Sequence, residues 1–210
     1  MVQSLEVRAW NHDIFILMAK LKSAGKKKKK LSRVVRSKIS YKGPVFSVYT
    51  EQVVEPSGIR ARRDIIRHSG SIVVLAVDDR SSGPRVLLER QYRHAAGQFL
   101  WELPAGRIDP GERELQAAKR ELLEETGYSA QRWEKVLHFY VSPGFLDETM
   151  SIYMARWLTA GKAQPEADEQ IETRFFTLPT AERMVLNGTI RDAKTMTGIL
   201  WLAQSLRKRG

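Results

Sequence analysis

From residue 43 onward, apolar and polar positions tighten into short, regular runs. Residues 45–54 (VFSVYTEQVV) and 60–67 (RARRDIIR) have the length and residue types of strands. Residues 71–77 (SIVVLAV) are continuously apolar, as expected of a strand buried on both faces. The turn-forming stretch 78–84 (DDRSSGP) separates it from a second strand over 85–89 (RVLLE). A short apolar run at 100–103 (LWEL) is broken by Pro104 and Gly106. Residues 135–141, 150–157 and 173–178 supply further strands. Helical spacing predicts helices over 112–126, 180–186 and 192–208. In the last, Asp192 stands at the N-cap, and Met196, Ile199, Leu200 and Leu202 or Ala203 form an apolar stripe. Strands before, between and after a few helices predict an α+β fold, a mixed sheet flanked by helices in an α/β/α sandwich.

Charge changes the picture of the N-terminus. The net charge of +11 suggests a nucleic-acid partner until it is divided along the chain. Residues 1–40 hold eleven Lys and Arg against Glu6 and Asp13, a balance of +9; residues 41–210 hold 24 basic and 22 acidic side chains, only +2. Five adjacent lysines, Lys26 to Lys30, repel one another and favour a solvated, disordered leader over 1–40. The expected organisation is that leader, N-terminal strands over 41–70 and a main domain over 71–210. No run of eighteen apolar residues is present, so no membrane span is expected. The apolar stretch 14–21 follows Asp13 and lacks the flanks of a secretory signal. The absence of cysteine removes disulfides, thiolate metal sites and a cysteine nucleophile, and fits a cytoplasmic protein.

The chemistry concentrates in residues 106–128, GRIDPGERELQAAKRELLEETGY. On a helix, Glu121 and Glu125 share a face and Glu124 lies on its flank. Leu115, Ala118 and Leu122 make a separate stripe expected to face the core. Carboxylates ~6 Å apart repel by roughly 3 kcal/mol per pair at an effective dielectric of ~20, a cost that a divalent cation removes. Oxygen donors without cysteine or a nearby histidine favour Mg²⁺, with Mn²⁺ also suitable. The plain alternative is a glutamate-rich surface helix neutralised by Arg120 and Lys119. Against it stand the spacing and the bracketing glycines Gly106 and Gly127, which can turn sharply at each end.

This segment resembles the Nudix box, G-x5-E-x7-R-E-U-x-E-E-x-G-U, where U is a bulky apolar residue. Gly106, Glu112, Arg120, Glu121, Leu122, Glu124, Glu125 and Gly127 match it, and only Tyr128 departs, being aromatic. The resemblance implies the Nudix fold and hydrolysis of a nucleoside diphosphate derivative. It makes Glu121 and Glu125 the chief metal ligands, with the Ala105 carbonyl and with Glu124 as an adjacent ligand or water-mediated partner. Glu112 and Arg120 would orient the cluster. Residues 91–112 (QYRHAAGQFLWELPAGRIDPGE), Pro143 fifteen residues after Tyr128, and the segments 168–172 and 191–195 resemble the ADP-ribose pyrophosphatase branch. On that basis Arg93, and less directly Arg67, are candidates for holding phosphate. Gly144, beside Pro143, would allow backbone to approach the ligand, and Glu148 would meet a ribose hydroxyl or metal-bound water. The acidic loop 164–172 can supply the group that orients or activates water; alignment points to Glu169, with Glu166 and Asp168 as competitors. Tyr49, Phe46 and Trp101 are available to stack on adenine. The family also implies a homodimer exchanging N-terminal sheets, which residues 43–68 can supply. The competing readings are a Nudix hydrolase for another nucleotide, and a basic-tailed nucleic-acid binder with an inactive Nudix fold.

Overall fold

The computed structural model describes residues 31–80, 83–164 and 170–208. Among the described residues, 31–38 with 51–63 form one compact unit, and 39–50 with the described residues from 64 onward another. Three strands, β1 (Arg33–Lys42), β2 (Ser47–Val54) and β3 (Arg60–Arg67), make a three-stranded sheet in the order β1-β2-β3. The predicted leader lies outside the described residues over 1–30, whereas 33–40 belong to β1.

The second unit holds a mixed seven-stranded sheet. Its strands are β4 (Ser71–Asp78), β5 (Arg85–Arg93), β6 (Gln98–Glu102), β7 (Ala105–Arg107), β8 (Tyr128–Tyr140), β9 (Thr149–Ala160) and β10 (Ile171–Thr177). The path runs β10-β5-β4-β9-β8, with β6 paired to β5 and β7 to β4. β4 and β9 run parallel, from Ser71↔Met150 to Ala76↔Ala155, and the other pairs of this sheet are antiparallel. Among the described residues the unit also holds the α-helices α1 (Glu114–Thr126), α2 (Leu178–Leu186) and α3 (Ala193–Arg207).

β4 shows why its sequence is unbroken by polar residues. Ile72, Val74 and Ala76 pack with Ala117, Ala118 and Leu122 of α1. Val73, Leu75 and Val77 pack with Leu178, Ala181 and Val185 of α2 and Ile199, Leu202 and Ala203 of α3. Alternate side chains thus enter two cores, one on each face, and every β4 residue is buried. Burying one such aliphatic side chain stabilises the fold by about 1.5–3 kcal/mol. The expected sandwich is the one observed.

Local chemistry sets the helix ends. Asp192 caps α3 by accepting from Thr195 N at 3.0 Å, as the sequence indicates. Thr177 caps α2, with Pro179 in its first turn. α1 starts two residues later than expected, because Asp109 and Glu112 close a turn through Glu112 N to Asp109 O at 2.9 Å. It ends at Gly127, whose φ of 73° is left-handed. A Cβ there would meet Ala163 N at 2.6 Å, so the position needs glycine twice over. The expected inward stripe is corrected at Leu115, which is 37% exposed in the first turn, while Ala117 joins Ala118 and Leu122 inside.

Asp78 ends β4 with an exposure of only 3%. It accepts from Arg80 Nε at 2.8 Å and Arg80 N at 3.1 Å, and pairs with Arg85. The Arg80 hydrogen bond is the chief cause that holds this carboxyl down to about 2, against burial, which pushes it up. A carboxyl lowered from 3.8 to about 2 adds stability above its unfolded value, and that stability is lost as the pH falls through about 2. Asp78→Asn is expected to lower the unfolding free energy by about 1–2 kcal/mol at neutral pH. In urea melts the gap to wild type narrows as the pH is taken from about 5 toward about 3; a gap of constant size overturns the assignment.

Candidate active site

Helix α1 carries the glutamates, and strand β7 lies against it. Gly106 in β7 is so close to Glu121 that a Cβ would sit 1.9 Å from its Oε1. The need for glycine here is close approach and not a left-handed backbone, since its φ is not among the positive values. The neighbouring Ala105 N donates to Glu125 Oε2 at 3.1 Å. Two consecutive residues of β7 thereby locate two glutamates one helical turn apart.

Arg120 gathers the remaining charge. Its Nε and Nη2 donate to Glu112 at 3.1 and 2.9 Å, and its Nη1 to Glu121 at 2.7 Å and Glu124 at 3.1 Å. Nη2 also donates to the Arg107 carbonyl at 3.1 Å, tying the guanidinium to β7. The Glu112 hydrogen bonds, followed by Glu121, raise the Arg120 pKa, and Arg120 in turn lowers that of Glu112. One cation therefore holds three carboxylates together that would otherwise repel.

Glu121, Glu124, Glu125, Ala105 and Gly106 line a cavity of about 480 Å³, a size that suits a nucleotide-scale ligand. Arg93 and Ser71 line it as well. A cation site here would be all oxygen, which fits Mg²⁺ or Mn²⁺. As the side chains stand, no three carboxylates or imidazoles among the described residues converge on one point, because Glu121 and Glu124 are turned onto Arg120. The donor set fits a divalent cation once that contact is exchanged.

A second charged cluster adjoins the first. Glu102 is buried and accepts both arms of Arg93, Nε at 2.9 Å and Nη2 at 2.8 Å. Lys194 Nζ bonds the same carboxylate, and Asp192 at 3.0 Å. Burial alone would push the Glu102 carboxyl up, but Arg93 and Lys194 hold it below the usual carboxylate range. Glu89 has no exposure and lies against the Glu102 and Glu125 carboxylates. Burial, then the Glu102 charge, push it up to about 8, so at neutral pH it is a neutral acid. Glu89, Glu102 and Lys194 are missed by reading motifs alone. The available signal was a glutamate inside each of two apolar runs, RVLLE and LWEL.

The other candidates fall apart from the cavity. Arg67, Pro143, Gly144 and Glu148 are not among its lining residues. Arg67 pairs with Asp147 at 3.0 Å, and Glu148 accepts from Ser71 Oγ at 2.6 Å, touching the cavity wall through that serine. Pro143 and Gly144 form an exposed turn, and a Cβ on Gly144 would meet nothing within 4 Å, so no crowding demands glycine there. Glu166, Asp168 and Glu169 lie outside the described residues. Trp101 packs edge-on against Phe176 at 5.0 Å and borders the core; Phe46 is 40% exposed beside Tyr41, and Tyr49 lies beneath the Arg67 guanidinium.

The sequence profile of the NUDIX domain matches residues 67–197. An ADP-ribose pyrophosphatase of Bacillus subtilis is 36% identical over 164 residues, covering 77% of this chain and 87% of that protein. An ADP-ribose pyrophosphatase of Mycobacterium tuberculosis is 34% identical over 169 residues, covering 79% and 80%. A solved structure described as an ADP compounds hydrolase superposes with a TM-score of 0.75 at 20% identity, covering 88% of this chain and 98% of that one, which shows a shared fold.

Removing the shared counter-charge tests the arrangement. In EDTA, Arg120→Met is expected to lose about 1–2 kcal/mol of stability, since three carboxylates then face one another without a cation. Millimolar Mg²⁺ should recover part of that loss in the variant by taking over the neutralising role. Equal unfolding midpoints for variant and wild type, with and without EDTA, would contradict it.

Proposed function

From the premise that this chain belongs to the NUDIX family and is a pyrophosphatase, we propose that its substrate is ADP-ribose, split at the diphosphate into AMP and ribose 5-phosphate. The carrying observation is the set Glu121, Glu124 and Glu125 around one cavity, with Gly106 giving Glu121 the room that a side chain would fill. Glu121 and Glu125 would hold Mg²⁺ or Mn²⁺, with Glu124 and the Ala105 carbonyl completing the donor set. A divalent cation there screens the negative charge of a diphosphate and acidifies water.

The chain's own residues supply the rest. Glu112 and Arg120 keep the glutamates oriented, since Arg120 bonds both Glu121 and Glu124. Arg93 stands at the cavity with a planar fork suited to phosphate oxygens. Ser71 and Glu148 form a polar edge that suits a ribose hydroxyl. Arg67, Pro143 and Gly144 enter the reading as the frame of loop 142–148, which Arg67 and the His68 amide fasten through Asp147. Glu169 is the proposed group that orients or activates water, with Glu166 and Asp168 next in line.

The working form is proposed to be a cytoplasmic homodimer acting on a small nucleotide, with no nucleic-acid partner. Apolar side chains of β1, including Val34 and Ile39, are 48% and 49% exposed, which favours burial against a second copy. No helix among the described residues is long and apolar enough to cross a membrane. Light scattering is expected to give twice the chain mass; a monomer with full activity would count against the shared form.

Product analysis tests the reaction. With ADP-ribose and Mg²⁺, chromatography should show AMP and ribose 5-phosphate in equal amounts, at higher kcat/KM than with GDP- or UDP-sugars. Glu121→Gln and Glu125→Gln should each lower kcat by roughly 100-fold or more with circular dichroism unchanged. Unaltered turnover in both variants would remove the assignment.

A further inference from the structure

Lys194 and Arg93 both line the cavity, and both bond one oxygen, Oε2 of Glu102. Sharing that acceptor keeps the two nitrogens within two hydrogen-bond lengths of each other, roughly 5–6 Å. Each also keeps a donor in hand. Arg93 spends Nε and Nη2 on Glu102, leaving Nη1. Lys194 carries three N–H groups and spends them on two carboxylates, Glu102 and Asp192.

The cost of this arrangement argues for a use. Lys194 is 8% exposed and Glu102 is 1% exposed, so both charges have been taken almost wholly out of water. Well-packed apolar side chains of similar volume usually serve stability as well or better than a buried ion pair. The two cations are balanced by Glu102 and Asp192. The pair is thus held at low dielectric, in fixed positions, with spare donors at the cavity wall. Such preorganised donors suit an oxyanion with several equivalent oxygens.

We infer that Lys194 joins Arg93 in an anion subsite, anchored on Glu102, that takes non-bridging oxygens of the substrate's diphosphate. This rests on the reading of the cavity as a diphosphate site. It adds a cationic contact from the first turn of α3, within the segment 191–195, to which the sequence alone assigns no role. The competing role for Lys194 is purely structural. Leu103 N donates to Thr195 Oγ1 at 2.7 Å, so the first turn of α3 is pinned to the end of β6 next door, and Lys194 would only reinforce the pin.

Binding without catalysis separates the two. ADP-ribose is titrated calorimetrically into the full chain in EDTA, and steady-state rates are measured with Mg²⁺. Lys194→Met should raise the dissociation constant and KM roughly 10- to 100-fold, the value of a charge-assisted hydrogen bond, with a smaller change in kcat. Lys194→Arg should restore most of the lost affinity. Unchanged dissociation constant and KM in Lys194→Met, with only a lower melting temperature, overturns the subsite in favour of the pin. Should the variants not fold, a structure of the wild-type chain with ADP-ribose in EDTA decides. Phosphate oxygens within about 3.2 Å of Lys194 Nζ support the subsite, and a diphosphate bound elsewhere in the cavity sinks it. Wild-type protein that neither binds nor cleaves any nucleoside diphosphate sugar brings down the functional reading as well; cleavage unaffected by Lys194→Met brings down the subsite alone.

Discussion

Holding four carboxylates close together along one helix is the problem that the surrounding structure is arranged to manage. Glu112, Glu121 and Glu124 are held by a single guanidinium, that of Arg120, and Glu125 is held by a backbone amide. Like charges at this spacing would splay into solvent if the helix were free. Two things prevent it here. Arg120 supplies the counter-charge, and β7 comes in close enough to limit where Glu121 can go, because Gly106 has no side chain. The acids are thus kept near one another on Arg120 and β7 instead of splaying into solvent.

That closeness depends on the sheet. β7 is only three residues long and is carried by β4, whose Ile72 pairs with Gly106 and Val73 with Ala105. β4 is also the most deeply enclosed strand, packed by α1 on one face and by α2 and α3 on the other. Ala117 and Ala118 have small side chains, so α1 can approach the sheet and bring its glutamates to the edge of β7. Packing on both faces makes β4 a rigid reference for the site, since tightly packed interiors resist displacement.

Behind the glutamates, the chain places opposite charges where water is scarce. Arg93, Glu102, Lys194 and Asp192 form a continuous ionic row, and burial beside them pushes the Glu89 carboxyl up. Acidic groups on α1 and basic groups from β5 and α3 therefore meet around one cavity. A ligand that is itself negative and bound to a divalent cation would find partners for both of its charges in that space.

Much of this was legible in the chain. The buried strand at β4, the glutamate spacing of α1, the Asp192 cap and the mixed sandwich all follow from periodicity and local spacing, which act between residues a few positions apart. The strand within the basic segment, the short β7 and the outward Leu115 were not, since each depends on what packs against it. The ionic row lies furthest from local reading. Glu102 and Lys194 stand 92 residues apart, and only the folding of α3 onto the end of β6 makes them a pair. Sequence determined which acids could share a cation, through fixed helical geometry. Tertiary structure decided which charges would be buried together, because burial is set by distant neighbours.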